Sequence, residues 1–349
     1  MDSNIIKVSS VGDMMLGDNH LHIGRGVAST WKNESLTSLL SHLNPIISGD
    51  VILGNLECVL GKPISLNPRR RIYLASSEKA KELKELGFTH LNLANNHILE
   101  HGCNSALITN KLLASEGIRT CGLVNPRSST IADQTIEIYG FSLVKERYPN
   151  DFYKNQITND DLCKIQYSEA NYKIVTIHWG DEYSNYPSSQ QIELGHELIK
   201  RGVSLILGHH PHVIQGIEMK NGSLIAYSLG NFIFDQNWSE DTKTGLILNA
   251  YLKNGTVNAF DTFLVKQDNK YIPNLSKSHS YSHILQNFSK YYQKDNEYRN
   301  YVKERNHWAR YKMKEEVFFH LPKVSFSTML IPIFKRVPAI EKILFPNEI

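Results

Sequence analysis

Apolar, β-branched runs of four to eight residues recur along roughly the first 265 positions, separated by stretches of helical period. Strands are predicted at residues 5–11, 50–53, 88–93, 173–178, 203–207, 223–228 and 245–252. Helices are predicted at 34–43, 77–86, 104–115 and 188–201. The helix at 77–86 has both punctuation marks, opening at Ser76-Ser77-Glu78 and stopping at Gly87. Strands alternating with helices predict an α/β domain. Two segments break the pattern. Residues 145–171 are polar without a clean period and read as a loop or helical insertion, while 281–320 is rich in Tyr, Lys and Glu with helical spacing and neither Pro nor Gly. The expected division is a core domain at 1–268 and a helical carboxyl-terminal extension at 269–349.

Polar residues collect where these strands end. Val11 leads to Gly12-Asp13, Leu53 to Gly54-Asn55-Leu56-Glu57, and Leu93 to Ala94-Asn95-Asn96-His97. Ile177 leads to His178-Trp179-Gly180-Asp181, and Leu207 to Gly208-His209-His210-Pro211-His212. Ligands of open α/β sheets bind beyond the carboxyl ends of the strands, so five such clusters point to one site. Two cations about 3.5–4 Å apart need a bridging carboxylate, further oxygens and neutral imidazoles. Asp13 and Glu57 can supply carboxylates, Asn96 an amide oxygen, and His178, His210 and His212 nitrogens. That mixture suits two divalent ions of Mn, Fe or Zn, and fits calcium poorly. Taken singly, each has a plainer structural role: Asp13 a turn or cap, Glu57 surface charge, His178 a satisfied core imidazole. Jointly they specify a metal site.

Composition changes this picture little. With 41% hydrophobic and 21% charged residues the chain is an ordinary globular one, and a net charge of +3 gives no reason to expect nucleic acid. The charge is uneven: from residue 281 onward 12 Lys/Arg face 7 Asp/Glu, which suits either an anionic surface or a solvated helix face. Cys58, Cys103, Cys121 and Cys163 form no C-x-x-C pair. No basic segment with a long apolar core opens the chain, and no apolar run reaches the length of a membrane span, so a cytoplasmic protein is expected.

The motifs together resemble the CapA, or poly-γ-glutamate synthesis, family within the calcineurin-like metallophosphoesterase superfamily. The matching stretches are Val11 to Gly17, Gly54 to Glu57, Leu93 to His97, Thr176 to Tyr183, His210 to Gly216 and Tyr227 to Phe232. The resemblance implies a four-layer αββα sandwich. It also implies that Asp13, Glu57 and His212 serve one metal, and that Glu57, Asn96, His178 and His210 serve the other. His97 takes the place of the residue that hydrogen-bonds or protonates a leaving group. Trp179, Glu182, Tyr183 and Asn231 lie in the matched motifs as candidate substrate contacts. Three departures stand out: Met15 where phosphoesterases carry a histidine, Glu57 where they carry aspartate, and Glu100 where the family more often has aspartate.

These implications leave three functions open. One is a metal-dependent hydrolase or transferase, acting on a phosphoester or γ-glutamyl amide in capsule or poly-γ-glutamate biosynthesis. Another is a non-catalytic assembly factor of a polymer-synthesis complex on a retained metal scaffold, and the third a cytoplasmic phosphodiesterase. The substrate would be an anionic polymer or a phosphorylated small molecule. Arg69, Arg70 and Arg71 form a basic cluster that suits carboxylate or phosphate. Beyond Lys323, Phe334, Val337, Ile340 and Leu344 share a helical face, with Lys335, Arg336 and Lys342 elsewhere. That piece suits packing onto the core, or peripheral contact with the inner membrane surface.

Overall fold

The computed structural model describes residues 5–62, 72–123, 127–131, 133–144, 156–276 and 295–319. Its strands are β1 (Ile6–Met14), β2 (Val51–Leu56), β3 (Val59–Gly61), β4 (Leu74–Ser76), β5 (His90–Asn92), β6 (Arg119–Cys121), β7 (Arg127–Ile131) and β8 (Gln134–Ser142). There follow β9 (Tyr172–His178), β10 (Leu205–His209), β11 (Ile217–Lys220), β12 (Ser223–Ala226), β13 (Asn231–Ile233), β14 (Thr244–Lys253), β15 (Thr256–Gln267) and β16 (Pro273–Leu275). The helices are α1 (Val27–Thr30), α2 (Leu36–Leu40), α3 (Lys79–Glu85), α4 (Gly102–Ser115), α5 (Asn159–Tyr167), α6 (Ser189–Lys200) and α7 (Asp295–Phe319).

Two mixed sheets carry the fold. The first runs β16-β15-β14-β1-β2-β5-β6, with β13 also paired to β1; the second runs β11-β12-β10-β9-β8-β7. Side chains alternate across each strand, and three apolar clusters record the result. Val8, Val51 and Leu53 of the first sheet meet Ile174, Leu205 and Leu207 of the second in the sandwich interior. Outside the first sheet, Leu36, Leu83 and Leu113 of α2, α3 and α4 cover Ile52 and Leu91. Outside the second, Ile165 of α5 and Leu198 of α6 cover Val175, Ile177 and Ile206. Helix, sheet, sheet, helix is the expected four-layer order.

Each predicted strand has its counterpart, shifted at the ends by a few residues. The polar stretch at 145–171 contains α5, which a Thr158–Asp161 capping box starts; residues 145–155 lie outside the described residues. The first sheet continues through β16, past the expected boundary at 268. Beyond it α7 packs back on the core, where Ala309 joins Tyr183 and Trp238 in an apolar cluster. The Arg69–Arg71 cluster and the amphipathic piece beyond Lys323 lie outside the described residues. No helix among those described is long and apolar enough to cross a membrane.

Register aims the strand ends at one place. Asp13 stands beside Asn55 across β1–β2 and beside Asn231 across β1–β13. The ladder slips between Ser10 and Asp13, a bulge that re-aims the last residues of β1. In the second sheet His178 stands beside His209.

Candidate metal centre

Asp13 is fully buried and crowded by donors. Its Oδ1 accepts from Asn55 Nδ2 at 3.0 Å and lies 2.9 Å from His209 Nδ1. Its Oδ2 accepts from the backbone N–H of His210 at 3.1 Å and lies 3.3 Å from His212 Nδ1. Burial opposes ionisation of this carboxyl, yet the hydrogen bonds and charge of His209 and His212 hold it well below the usual carboxylate range. Glu57, equally buried, goes the other way: desolvation, then the neighbouring Asp13 charge, push it well above its ordinary value. Without a cation, two carboxylates this close cannot both ionise.

Between them sits Asn55. Its Oδ1 accepts from Asn92 Nδ2 at 3.0 Å, which turns its amino group toward Asp13 Oδ1 (3.0 Å), Glu57 Oε1 (3.0 Å) and His178 Nδ1 (3.3 Å). An amide offers two protons, so three acceptors share them. His178 Nε2 lies 2.9 Å from Asn96 Oδ1, and its ring is 4.7 Å from that of His210. Burial, then the charge of His210, lowers the His178 pKa well below the ordinary imidazole value; burial takes His210 down to about 4. Both rings are therefore neutral at pH 7, the form that ligates metal. For His212 burial pulls downward too, but the Asp13 carboxylate outweighs it and the pKa rises.

Two ligand sets stand out. Ligand atoms of Asp13, Glu57 and His178 all lie within 4.8 Å of one another, as do those of Glu182, His210 and His212. Glu57 Oε2, His209 Nε2 and His210 Nδ1 are buried with no hydrogen-bond partner among the described residues. Buried polar atoms are rarely left so. Orphaned oxygen and nitrogen ligand atoms in this mixture of carboxylates and imidazoles fit a divalent metal.

All six residues expected to hold metal converge here, with His212 Nδ1 3.3 Å from Asp13 Oδ2 and the His178 and His210 rings 4.7 Å apart. His178 sits with the carboxylates of the first sheet. The turn at His210–His212 carries both rings to Glu182, which was expected to contact substrate. Backbone φ values of 97° at His210 and 58° at His212 put both in the left-handed region, strain of a kind found at functional sites. Met15, where a histidine would extend the first set, is buried in the apolar core.

His97 lines a cavity of about 270 Å³ together with Glu182, Tyr183 and His212. Its ring stacks on Tyr73 at 4.2 Å, and its Nδ1 lies 3.5 Å from Glu100 Oε1. Glu100 thus stands beside His97, three residues on in the turn that precedes α4. The other expected substrate contacts divide. Tyr183 lines the cavity. Asn231 is buried, with Oδ1 3.0 Å from His212 Nδ1 and its amino group donating to Gln236 Oε1 and the Thr242 carbonyl, so it orients a ligand. Trp179 belongs to the apolar cluster under α6 and donates to the Tyr227 carbonyl at 2.9 Å. Its bulk is spent on packing rather than on this cavity. Sequence reasoning missed Asn55, His209 and the ligand geometry of Glu182. Asn55 and His209 stand within two residues of a recognised ligand and Glu182 four residues after His178, which was the available signal.

Comparison with known proteins agrees with this geometry. Residues 7–236 match the family described as "Bacterial capsule synthesis protein PGA_cap". The chain is 30% identical over 275 residues to the "PGA biosynthesis protein CapA" of Bacillus subtilis (strain 168), covering 72% of this chain and 70% of that protein. It is 28% identical over 278 residues to the "Capsule biosynthesis protein CapA" of Bacillus anthracis, covering 72% and 65%. Among solved structures, a phosphatase from Mycoplasma pneumoniae superposes with a TM-score of 0.50 at 16% identity, over 77% of this chain and 96% of that one. That likeness speaks for the metallophosphoesterase fold. The chain belongs to the PGA_cap capsule-synthesis family.

Proposed function

We propose that this member of the capsule-synthesis family is a metal-dependent hydrolase or transferase, acting on a phosphoester or γ-glutamyl amide during capsule or poly-γ-glutamate synthesis. The observation that carries the reading is the pair of buried ligand sets, Asp13–Glu57–His178 and Glu182–His210–His212, beside a cavity that His97 lines. Asn96, 2.9 Å from His178, adds an oxygen donor. Bound there, two divalent ions supply Lewis acidity and a nucleophile at neutral pH.

The chain's own residues do the rest. Asn55 and His209 hold the Asp13 carboxylate in place, and Asn231 holds His212. His97, stacked on Tyr73 with Glu100 Oε1 3.5 Å from its Nδ1, can hydrogen-bond or protonate the departing oxygen or nitrogen. A cytoplasmic site of action near the inner membrane surface is part of the same proposal and rests on the sequence alone.

A second reading makes the chain a non-catalytic assembly factor, and the burial of Met15 in the core favours it, since one imidazole of the ordinary phosphoesterase set is lacking. Metal quantitation on purified protein separates the two. Stoichiometric Mn, Fe or Zn, followed by turnover in a screen of phosphoesters and γ-glutamyl peptides, supports the enzyme. Protein that takes up no metal at neutral pH favours the scaffold.

A further inference from the structure

The cavity beside the metal centre has a wall that the family match does not include. Helix α7, Asp295–Phe319, lies beyond the matched residues 7–236. Asn306, Ala309, Arg310 and Met313 of that helix line the same cavity as His97, Glu182 and His212. Their spacing places them on one helical face. The helix is well fastened there. Tyr298 Oη donates to Asp181 Oδ2 at 3.0 Å, and Tyr301 Oη accepts from the Asn185 backbone N–H at 3.1 Å. Arg305 donates through Nε to the Tyr183 carbonyl and through Nη2 to Asp241, both at 2.8 Å. At its far end His22 Nε2 lies 3.1 Å from Glu316.

Of the three arginines of this helix, Arg299, Arg305 and Arg310, the last two lie nearest this cavity and differ in their commitments. Arg305 is spent on holding the helix, and its guanidinium also sits 4.1 Å over the Trp308 ring. Arg310 is exposed, lines the cavity, and has no ion pair or hydrogen bond among the described residues. It is the one permanently charged cation among the residues lining that space. A guanidinium facing a ligand cavity with its five donors unspent matches the fork of a carboxylate or phosphate.

We propose that Arg310 binds a carboxylate or phosphate of the substrate, so that a helix outside the shared family core selects for an anionic substrate. The proposal rests on the metal-site reading of the cavity. It explains why α7 is clamped through four of its residues, Tyr298, Tyr301, Arg305 and Glu316: a recognition group must be held in register with the residues that act on the bond.

The test is equilibrium binding of inorganic phosphate and of glutarate, with neutral glutaramide as control, to the full chain and to Arg310→Gln and Arg310→Lys. Each is measured metal-loaded and after EDTA treatment, with helicity checked by circular dichroism. A charge-assisted pair of hydrogen bonds is worth about 10–100-fold in affinity. Arg310→Gln should lose that factor for at least one anion, Arg310→Lys should recover part of it, and glutaramide should bind none of them. Glutarate as the tighter probe assigns a carboxylate, phosphate as the tighter probe a phosphoryl group. Equal anion affinity in wild type and Arg310→Gln overturns the proposal, as does a wild-type chain that binds neither anion at millimolar concentration. Arg310-dependent binding in a protein that takes up no metal would sink the hydrolase reading and leave this one standing.

Discussion

At the scale of single residues, the centre turns on an amide that motif reading passed over. Asn55 is held by Asn92 and shares two protons among Asp13, Glu57 and His178. Asn55→Leu should weaken metal binding about 10–100-fold, as loss of a ligand-orienting partner does; competition with a fluorescent chelator measures it. Unchanged affinity would mean the carboxylates orient themselves. His97→Ala should keep its metal, by elemental analysis, and lose about 10²–10⁴-fold in turnover. Asn96→Ala and His210→Ala should lose metal instead. Asp235 offers a test away from the ligands. Burial, with Asp18 adding to it against His22, raises this carboxyl to about 7, and its Oδ1 has no hydrogen-bond partner among the described residues. A raised folded pKa means that the native state keeps a proton the unfolded chain releases near 4. Its stabilising contribution is therefore whole below pH 4 and lost as pH climbs through 7, up to about 4 kcal/mol. Asp235→Asn should flatten that fall, gaining on wild type in urea unfolding at pH 8 more than at pH 5.

Secondary-structure elements explain what could be read in the sequence and what could not. Strands β1, β2, β9, β10 and β14 were legible because each buries a run of Val, Ile or Leu. β13 was not, because Asn231–Ile233 is three residues long and joins β1 through bonds from Asp13 N–H to the Gly230 carbonyl and from Met15 N–H to the Ile233 carbonyl. The ligands were legible as strand-end motifs. Asn55 and His209 became meaningful only once cross-strand register set them beside Asp13 and His178, and one sequence does not print register. Glu182 joined the imidazoles for a similar reason: a turn with left-handed residues decides where they point. Gly208 is the hinge of that geometry. A Cβ there would press into the Tyr227 carbonyl oxygen and the Trp179 indole, so Gly208→Ala must push β10 away from β12. We expect a loss of about 1–3 kcal/mol, as overpacking typically costs, together with weaker metal binding. A variant with native melting temperature and native metal content would show the strand end to be more pliant than this packing allows.

For the whole molecule, the metal centre joins two sheets, since Asp13 and Glu57 come from the first and His178, His210 and His212 from the second. Anything that binds only the folded state stabilises it; metal at one hundred times its dissociation constant contributes about 2.7 kcal/mol. Chelation should therefore lower the melting temperature, and Asn96→Ala should shrink that shift. The arrangement of β1 has another consequence, felt before the protein is complete. One edge of β1 pairs with β2, which follows closely in the chain, but the other waits for β13 and β14, whose residues begin at 231 and 244. At about 5–20 residues per second of synthesis, the nascent chain carries that edge open for about 10 seconds or more. An open, apolar edge invites pairing with a neighbour emerging from the next ribosome. Lys7, Ser9 and Ser10 interrupt the run from Ile5 to Val11, and polar breaks of this sort restrain such pairing. The strand that opens the metal site thus also meets the demands of its own birth, guarded by residues that chelate nothing.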